Sequence, residues 1–300
     1  MSDICVLGNF VADNTFYAEK LPAKGQTIFG SGFQVGPGGK GSNQAIAAAR
    51  LKSKVSFLGK VGDDEYGKMA IELYKKNNLN HKTVFVSKEH PTGVAGIMVN
   101  KTDGTNAIIV YPGASMEITI DEVNEFSDLI RNSKVFLTQL EIKTEVTLHA
   151  LKLAKKNNVI TILNPAPAIK IEDEFFKYID YFTPNETEAK FYTNISINSK
   201  SEAKDASIKL IQMGIKKVII TLGEKGLFYN DGKKEIHLDA TKVKAVDTTG
   251  AGDAFNGGLA YGLSKNQSIE ECLELANKVG GMSTIKLGAG DSMPFLKDLS

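Results

Sequence analysis

Cysteine is scarce in this sequence, and its scarcity excludes two kinds of structure. Only Cys5 and Cys272 occur among the 300 residues. Two isolated cysteines cannot build a disulfide framework, and they lack the paired spacing of a zinc site. Cys5 lies inside the apolar run Ile-Cys-Val-Leu at 4–7, so it is predicted to be a buried free thiol.

Net charge is also nearly absent, with a formal value of +1. Without a basic excess, neither nucleic acid nor a membrane surface is expected as a partner. The N-terminus has no basic segment followed by a long apolar stretch, and no run approaches the roughly 18 apolar residues of a membrane helix. With 42% hydrophobic and 24% charged residues, the chain is typical of a soluble globular protein, and the reducing cytoplasm is its expected compartment.

What the sequence does contain is an alternation of short β-type runs with amphipathic stretches. The runs lie at 4–7, 55–58, 135–140, 159–163, 181–183 and 218–222, and helical patterns cover 42–51, 65–76, 144–156 and 204–213. This alternation predicts an α/β fold with a mostly parallel central sheet covered by helices on both faces. The last third is predicted to be rich in helix.

Two segments interrupt the alternation. Residues 14–36 have no helical period and carry Gly and Pro, whereas residues 92–111 are typical of two strands around the turn Lys-Thr-Asp-Gly at 101–104. We expect both segments to pair into a small β-sheet lid beside the ligand edge of the main sheet. The α/β domain would then comprise residues 1–13, 37–91 and 112–300.

A glycine-rich segment at 36–43 reads Gly-Pro-Gly-Gly-Lys-Gly-Ser-Asn. Its glycines match the dinucleotide-binding fingerprint, but that motif must directly follow the first strand, and the run at 4–7 ends far earlier. A Walker loop is excluded because Gly41 follows Lys40 where Ser or Thr is required. Two interpretations stay open: a structural turn, or a loop whose N–H groups approach a polar ligand where a helix begins near Ser42.

A second glycine-rich segment, Thr-Thr-Gly-Ala-Gly-Asp at 248–253, precedes a helical stretch. Small residues at a helix start leave N–H groups unpaired, and such groups can hold developing negative charge. Asp253 lies in the first turn. It is either a helix cap or a base that takes a hydroxyl proton while the amides hold a transferring phosphoryl group.

Two further strand ends carry candidate nucleotide ligands. In Thr-Pro-Asn-Glu-Thr-Glu at 183–188, Asn185 and Glu188 either form a capping pair or organise Mg²⁺ and phosphate oxygens. The run at 218–222 ends in Gly-Glu-Lys-Gly at 223–226, at the carboxyl end of a strand, where α/β sheets bind ligands.

Together these segments resemble the signatures of the ribokinase (PfkB-type) sugar kinase family over nearly the whole chain. The motifs are Gly-Gly-Lys-Gly-Ser-Asn-Gln-Ala at 38–45, Gln-Leu-Glu at 139–141, Asn-Pro-Ala-Pro at 164–167, Thr-Pro-Asn-Glu at 183–186, Thr-Leu-Gly at 221–223 and Asp-Thr-Thr-Gly-Ala-Gly-Asp-Ala-Phe at 247–255. Each is modestly specific, and their combination in the family's order is very specific. The resemblance implies a ribokinase-like three-layer fold and ATP-dependent phosphorylation of a primary hydroxyl, the 5-hydroxyl of D-ribose.

The resemblance also implies roles position by position. Asp253 would be the base, with the amides of Gly250, Ala251 and Gly252 as the anion hole. The sugar site would comprise Val11, Asp13, Gly39, Lys40, Gly41, Ser42, Asn43 and Glu141. The Mg–ATP site would comprise Asn185, Glu188, Thr221, Leu222, Gly223, Glu224, Lys225, Gly226, Gly252 and Asn277. An activating monovalent cation, K⁺, would be held by Asp247, Thr249, Ser283, Lys286, Gly288 and Ser292, and the lid would form the contact of a homodimer.

One position departs from the family pattern. Ribokinases place Asn where this sequence has Val11, two residues before Asp13, and deoxyribokinases place an apolar residue there. Valine cannot hydrogen-bond a sugar hydroxyl, and an unpaired hydroxyl in a closed site costs about 1–3 kcal/mol. Ribose, 2-deoxyribose and the other sugars or nucleosides of the family therefore stay open as substrates.

Two functions of other classes also stay open. A non-catalytic sugar or nucleotide sensor would be expected to have lost the base or the anion hole, and this sequence keeps both. A Rossmann oxidoreductase would need an acidic ribose ligand about twenty residues after its glycines, and Asp63 and Asp64 come later than that.

Overall fold

A computed structural model gives the structure of residues 2–299. In chain order the strands are β1 (Ile4–Leu7), β2 (Val11–Ala18), β3 (Gly32–Gly38), β4 (Val55–Gly62), β5 (Val84–Ser87), β6 (Thr92–Asn100), β7 (Asn106–Gly113), β8 (Val135–Thr138), β9 (Ile160–Leu163), β10 (Tyr181–Phe182), β11 (Lys217–Thr221), β12 (Leu227–Asn230) and β13 (Glu235–Leu238). The helices are α1 (Lys40–Arg50), α2 (Glu65–Lys76), α3 (Ile120–Glu125), α4 (Ser127–Arg131), α5 (Thr144–Lys156), α6 (Glu186–Thr193), α7 (Lys200–Gln212), α8 (Ala251–Ser264) and α9 (Ile269–Ser283).

The large sheet has the strand order β13-β12-β11-β10-β9-β8-β1-β4-β5 within the described residues. Neighbouring strands from β11 to β5 are parallel, and β12 and β13 add an antiparallel edge. The chain builds outward from β1 to β4 and β5, and later resumes on the other side of β1 at β8. In α/β sheets ligands bind at the carboxyl ends of the strands beside such a reversal.

Helices cover both faces of the large sheet, as the alternating sequence pattern predicts. Successive strand residues point to opposite faces. Phe136 of β8 accordingly belongs to one buried cluster with Leu151 of α5, and Leu137 belongs to another with Leu259 of α8. The predicted three-layer α/β fold is confirmed.

The small sheet has the order β3-β2-β6-β7. Its β2–β3 and β6–β7 pairs are antiparallel and its central β2–β6 pair is parallel, so the predicted hairpin around 101–104 is confirmed. The strands run slightly beyond segments 14–36 and 92–111, since β2 begins at Val11, β3 ends at Gly38 and β7 ends at Gly113. Several large apolar side chains of this sheet are exposed: Phe16, Phe33, Met98, Ile108, Ile109, Val110 and Tyr111.

The structure differs from the sequence-based expectation at a few element boundaries. Helix α7 begins at Lys200 rather than 204, because the Ser199 side chain accepts a hydrogen bond from the amide of Glu202 and caps the helix earlier. The antiparallel pair β12–β13 lies in a region for which we predicted no strands. Cys5 and Cys272 are free and buried, as expected for Cys5. Within residues 2–299, no helix combines the length and the apolar content that a membrane span requires.

Candidate active site

The candidate site lies where the carboxyl ends of the parallel strands meet the first turns of α1 and α8. Strands β9, β10 and β11 each deliver a polar residue to one cavity at this edge. Its lining includes Lys40, Asn164, Thr183, Asn185, Glu188, Thr221, Gly250, Ala251, Gly252, Asp253 and Asn256. The structure thus brings together the predicted base, the predicted anion-hole residues and, besides Gly252, three more of the predicted nucleotide ligands.

Gly39 forms the tight entry to α1. Its φ of 88° lies in the left-handed region, and a Cβ there would come within 2.8 Å of the backbone nitrogen of Val11. Glycine satisfies both constraints without strain. This close approach holds the start of α1 against β2, the strand that carries Asp13.

The amides that follow Gly39 are already paired within the protein. The amide of Lys40 donates to Glu141 Oε2 at 3.1 Å, that of Gly41 to Asn9 Oδ1 at 3.3 Å, and that of Ser42 to the Asn9 carbonyl at 2.9 Å. These three N–H groups therefore stabilise a structural turn, one of the two interpretations of this loop, and are not free to bind a ligand. Helix α1 begins at Lys40, two residues before the predicted start.

The first turn of α8 offers free N–H groups. Gly250 caps the helix with φ 77° and no side-chain cap bond. The amide of Ala251 donates to the Thr248 carbonyl at 3.2 Å, whereas those of Gly250 and Gly252 meet no acceptor among residues 2–299. Two of the three predicted anion-hole amides are thus available to an anion, and the helix dipole adds positive potential at the same place. The third amide, that of Ala251, is already hydrogen-bonded within the turn at the start of the helix.

The carboxylate of Asp253 is turned towards α1 rather than towards the amides of its own helix. Its Oδ2 accepts a hydrogen bond from Asn43 Nδ2 at 3.0 Å, and its Oδ1 accepts one from Gln44 Nε2 at 3.0 Å. Burial raises the pKa of Asp253, against the opposing effects of Lys40 and the two amide donors. The helix-cap interpretation of Asp253 is wrong, since no side-chain cap bond forms at this helix start.

Lys40 compensates the negative charge of several buried or partly buried carboxylates around Asp253. Lys40 Nζ lies 3.6 Å from Glu141 Oε1. Burial disfavours its charge, but Glu141, Asp253 and Glu188 outweigh that effect and raise the pKa of Lys40. Burial, followed by repulsion from Glu141, raises the pKa of Asp13 to about 6, against the attraction of Lys40.

A second cavity, beneath the small sheet, contains Asp13. Its lining includes Asp13, Thr15, Gly36, Pro37, Asp247, Thr249, Gly288 and Ala289. Gly38 has no room for a Cβ because the Asp13 carboxylate lies against it. Val11 is 4% exposed and lies two residues before Asp13 in β2, so the two side chains point to the same face of the strand.

Asn185 and Glu188 form a reciprocal capping box at the start of α6. Asn185 Oδ1 accepts from the amide of Glu188 at 2.8 Å, and Glu188 Oε2 accepts from the amide of Asn185 at 2.8 Å. The capping interpretation is confirmed. Both residues also line the cavity of Asp253, and burial raises the pKa of Glu188 to about 7.

The predicted nucleotide residues at the end of β11 and after it lie in different places. Thr221 lines the cavity of Asp253, whereas Leu222 and Lys225 line a neighbouring one together with His237 and Asp239. Gly223 and Glu224 lie on the exposed turn between these residues. Gly226 has φ 90° and no room for a Cβ beside the Leu238 carbonyl. Asn277 Nδ2 donates to the Asp239 carbonyl at 2.7 Å and thereby holds the chain after β13.

The residues assigned to a monovalent cation lie on two adjoining loops. Asp247 Oδ1 accepts from the amide of Thr249, and its Oδ2 accepts from the amide of Gly288, both at 2.9 Å. The hydroxyls of Ser283 and Ser292 donate to the carbonyls of Gly280 and Ala289. Lys286 is exposed, and it is Asp247, Thr249 and Gly288 that line the cavity of Asp13. No cluster of three or more His, Cys, Asp or Glu residues in the described chain is arranged to hold a metal ion.

Sequence reasoning assigned no role to a buried polar network that surrounds Asp253. It consists of Gln44, Gln139, Asn164, Thr183 and Asn256. Its hydrogen bonds run from Gln139 Nε2 to Gln44 Oε1 (2.6 Å), from Gln44 Nε2 to Asn164 Oδ1 (3.0 Å), from Asn164 Nδ2 to the Thr183 carbonyl (3.2 Å), from Thr183 Oγ1 to Asn256 Oδ1 (2.7 Å) and from Asn256 Nδ2 to the Gly252 carbonyl (2.8 Å). Three of its members directly follow a strand, and that position is the sequence signal for them.

Comparison with known proteins is consistent with this geometry. Residues 1–296 match the model of the pfkB family carbohydrate kinases. Mouse ribokinase is 36% identical, with 99% of this chain and 93% of the relative covered. The deoxyribokinase of Salmonella typhi is 33% identical, with 99% and 97% covered. A solved structure of Arabidopsis thaliana ribokinase, complexed with ribose and ATP, superposes with a TM-score of 0.92 at 31% identity, with 99% and 97% covered.

The chain belongs to the PfkB family of carbohydrate kinases. As a PfkB kinase it is a phosphotransferase with an alcohol group as acceptor, and both the sensor and the oxidoreductase hypotheses are wrong. The glycine pattern at 36–41 lies at the end of β3 and the start of α1 rather than after β1, which explains why its match to the dinucleotide fingerprint carried no function.

Proposed function

We propose that the chain transfers the γ-phosphoryl group of ATP to the 5-hydroxyl of D-ribose. The observation that carries the proposal is the first turn of α8. There a buried carboxylate, that of Asp253, shares one helical turn and one cavity with the free N–H groups of Gly250 and Gly252. A base and an anion-binding site in one turn serve the two demands of phosphoryl transfer to an alcohol.

Each group has a defined task in this reaction. Asp253 accepts the proton of the sugar hydroxyl, and its raised pKa makes it a stronger base than an ordinary aspartate. The amides of Gly250 and Gly252 hold the phosphoryl oxygens as their charge develops. Lys40, charged and facing the same cavity, adds a compensating positive charge. Asp13 and Glu141 accept hydrogen bonds from the sugar hydroxyls.

The donor sets fit the two cations that the family resemblance implies. Asn185 and Glu188 line the cavity of Asp253, and side-chain oxygens of their kind suit Mg²⁺, which would neutralise phosphate charge there. Asp247 and its neighbouring loop carbonyls suit K⁺ in the same way. The two hydrogen bonds that Asp247 accepts from the amides of Thr249 and Gly288 hold the two loops of this site together.

The relatives support ribose and ATP as the substrates. The mouse relative is named ribokinase, and the Arabidopsis ribokinase was solved with ribose and ATP. A coupled ADP-release assay over ribose, 2-deoxyribose, fructose and nucleosides, with and without K⁺, tests the proposal. Ribose is expected to give the highest kcat/KM, with K⁺ increasing the rate. Turnover of nucleosides or fructose in preference to both pentoses would overturn the assignment.

2-Deoxyribose is the second candidate, because Val11 shares a strand face with Asp13 and offers no hydrogen bond. Val11→Asn is expected to raise the kcat/KM ratio of ribose over 2-deoxyribose by about tenfold, the value of one hydrogen bond to a hydroxyl. The ratio is measured with both sugars in one ADP-release assay.

Val11→Ala provides the matched control for this substitution. It removes the same apolar contact without adding an amide, so its sugar ratio should stay at the parent value. An unchanged ratio in Val11→Asn would show that position 11 does not select the sugar.

We also propose that the small sheet forms a homodimer contact. Its outer strand β7 exposes 75% of Ile109 and 51% of Tyr111, and apolar surface of this kind is typical of an interaction face. Ile109→Asp should convert a dimer to a monomer, measured by light scattering after size-exclusion chromatography. Ile208→Asp on α7, where the isoleucine is 38% exposed, should leave the mass unchanged. A parent protein that is monomeric at micromolar concentration would contradict the proposal.

The cytoplasmic location of the protein stays a prediction.

A further inference from the structure

We propose that Gln44 is a positioning residue that fixes the carboxylate of Asp253 for proton transfer, and that Gln139 fixes Gln44 in turn. The inference rests on the proposed role of Asp253 as the base. It goes further by naming the two side chains that set the orientation and the basicity of that base.

Both side-chain N–H groups and the carbonyl oxygen of Gln44 are hydrogen-bonded inside the protein. Its Nε2 donates to Asp253 Oδ1 and to Asn164 Oδ1, each at 3.0 Å, and its Oε1 accepts from Gln139 Nε2 at 2.6 Å. Gln44 is 0% exposed and Gln139 is 1% exposed. Because a carboxylate can only accept, the nitrogen of Gln44 must face Asp253.

Gln139 makes this orientation the stable one. If the Gln44 amide turned over, its oxygen would face the oxygens of Asp253 and Asn164, and its nitrogen would face the nitrogen of Gln139. Such a buried mismatch is costly. Gly8, at the end of β1, makes room for Gln139, because a Cβ at Gly8 would collide with Gln139 Oε1.

The charges around Asp253 make the two amide donors important. Three other carboxylates repel the negative charge of Asp253: Glu141 on the loop after β8, Asp13 on β2 and Glu188 on α6. Lys40 on α1 attracts it. Hydrogen bonds to the ionised carboxylate counteract this repulsion, together with the charge of Lys40 and the positive potential at the start of α8.

Gln44 and Asn43 share the task of donating to Asp253, but they differ in their access to substrate. The family resemblance assigns Asn43 to the sugar site, and its buried Oδ1 has no partner among residues 2–299. Gln44 is fully enclosed by protein partners. Replacing Gln44 should therefore change the base without removing a substrate contact.

The test is the pH dependence of kcat at saturating sugar and ATP. In Gln44→Leu the acid limb is expected to move up by about one to two pH units, because a hydrogen bond to the ionised carboxylate is lost. At the pH optimum kcat should fall roughly tenfold, and the KM values for sugar and ATP should stay within about threefold of the parent.

Gln139→Leu tests the second half of the proposal without touching Asp253. The Gln44 amide then lacks its anchor, so the acid limb should move in the same direction by a smaller amount. The double variant should shift no further than Gln44→Leu alone, because the two residues act in series. Should Gln44→Leu not yield folded protein, Gln139→Leu carries the test by itself.

Ser207→Ala is the control for a purely structural effect. Ser207 is fully buried and accepts a hydrogen bond from Asn230, far from the base. It should lower the thermal midpoint without moving the acid limb. An unmoved limb in folded Gln44→Leu or Gln139→Leu would overturn the inference, as would a rise in sugar KM as the main effect. Full turnover in Asp253→Asn would instead contradict the proposed role of Asp253 as the base. That result is distinguishable from a failure of the inference about Gln44 and Gln139.

Discussion

Asp253→Asn is expected to fold like the parent and to lose roughly 10²–10⁴-fold in kcat, the usual range for a positioned base. Asparagine keeps the size of the side chain, and its oxygen can still accept a hydrogen bond from Asn43 or Gln44. It has no carboxylate to take the hydroxyl proton. The measurement is ADP release at saturating sugar and ATP, and calorimetric binding of both substrates should persist.

Asp128→Asn is the matched control for the loss of a carboxylate. Asp128 forms an exposed i,i+3 pair with Arg131 on α4, remote from the base, and turnover should be unchanged. Near-normal turnover in Asp253→Asn would remove Asp253 from the role of base. It would leave the free amides of α8 without a catalytic partner.

Asp13→Ala should raise the KM for the sugar by roughly 10–10²-fold, since hydrogen bonds to a charged acceptor contribute about 1.5–3 kcal/mol each. The KM for ATP should change little, because Asp13 lies in the cavity beneath the small sheet and not among Asn185, Glu188 and Thr221. Removing a carboxylate that Glu141 repels should leave the thermal midpoint unchanged or higher. A sugar KM within twofold of the parent would show that Asp13 does not hold the sugar.

The pH dependence of the sugar KM gives a second readout of the same role. Burial and Glu141 raise the pKa of Asp13 to about 6, so this group is ionised above that pH and becomes protonated as the pH falls through it. The parent's sugar KM should therefore rise as the pH drops below about 6. In Asp13→Ala this increase should be absent. Equal pH dependence in both proteins would assign the titration to another group.

Most of the large sheet could be predicted from the sequence because its strands are buried on both faces and form short apolar runs. The pair β12–β13 was missed, although β12 is fully buried and begins with the apolar residues Leu-Phe-Tyr, because β13 has the opposite character. Strand β13 has four residues, none of them fully buried, so it lacks the apolar run that marks the central strands. An edge strand of this kind is stabilised by pairing with its neighbour, and its own sequence carries little sign of it.

The site could be predicted where one local segment carries both the geometry and the chemistry. The first turn of α8 is the best example, since its glycines and Asp253 are adjacent in sequence. The partners of Asp253 could not be derived in this way, because Asn43 and Gln44 lie 210 and 209 residues away from it. The occupied amides at Lys40, Gly41 and Ser42 could not be foreseen either. Their acceptors, Asn9 and Glu141, come from two other strand ends.

The two carboxylates that we assign to the sugar site belong to different parts of the architecture. Asp13 lies on β2 of the small sheet, whereas Asp253 lies on α8 beside the large one. The distance between the two carboxylates therefore depends on how firmly β2 packs against Gly39. A substitution that loosens the pairing of β2 with β3 or β6 would widen the gap between the two acids. Such a change is expected to weaken sugar recognition while leaving every residue assigned to the sugar site intact.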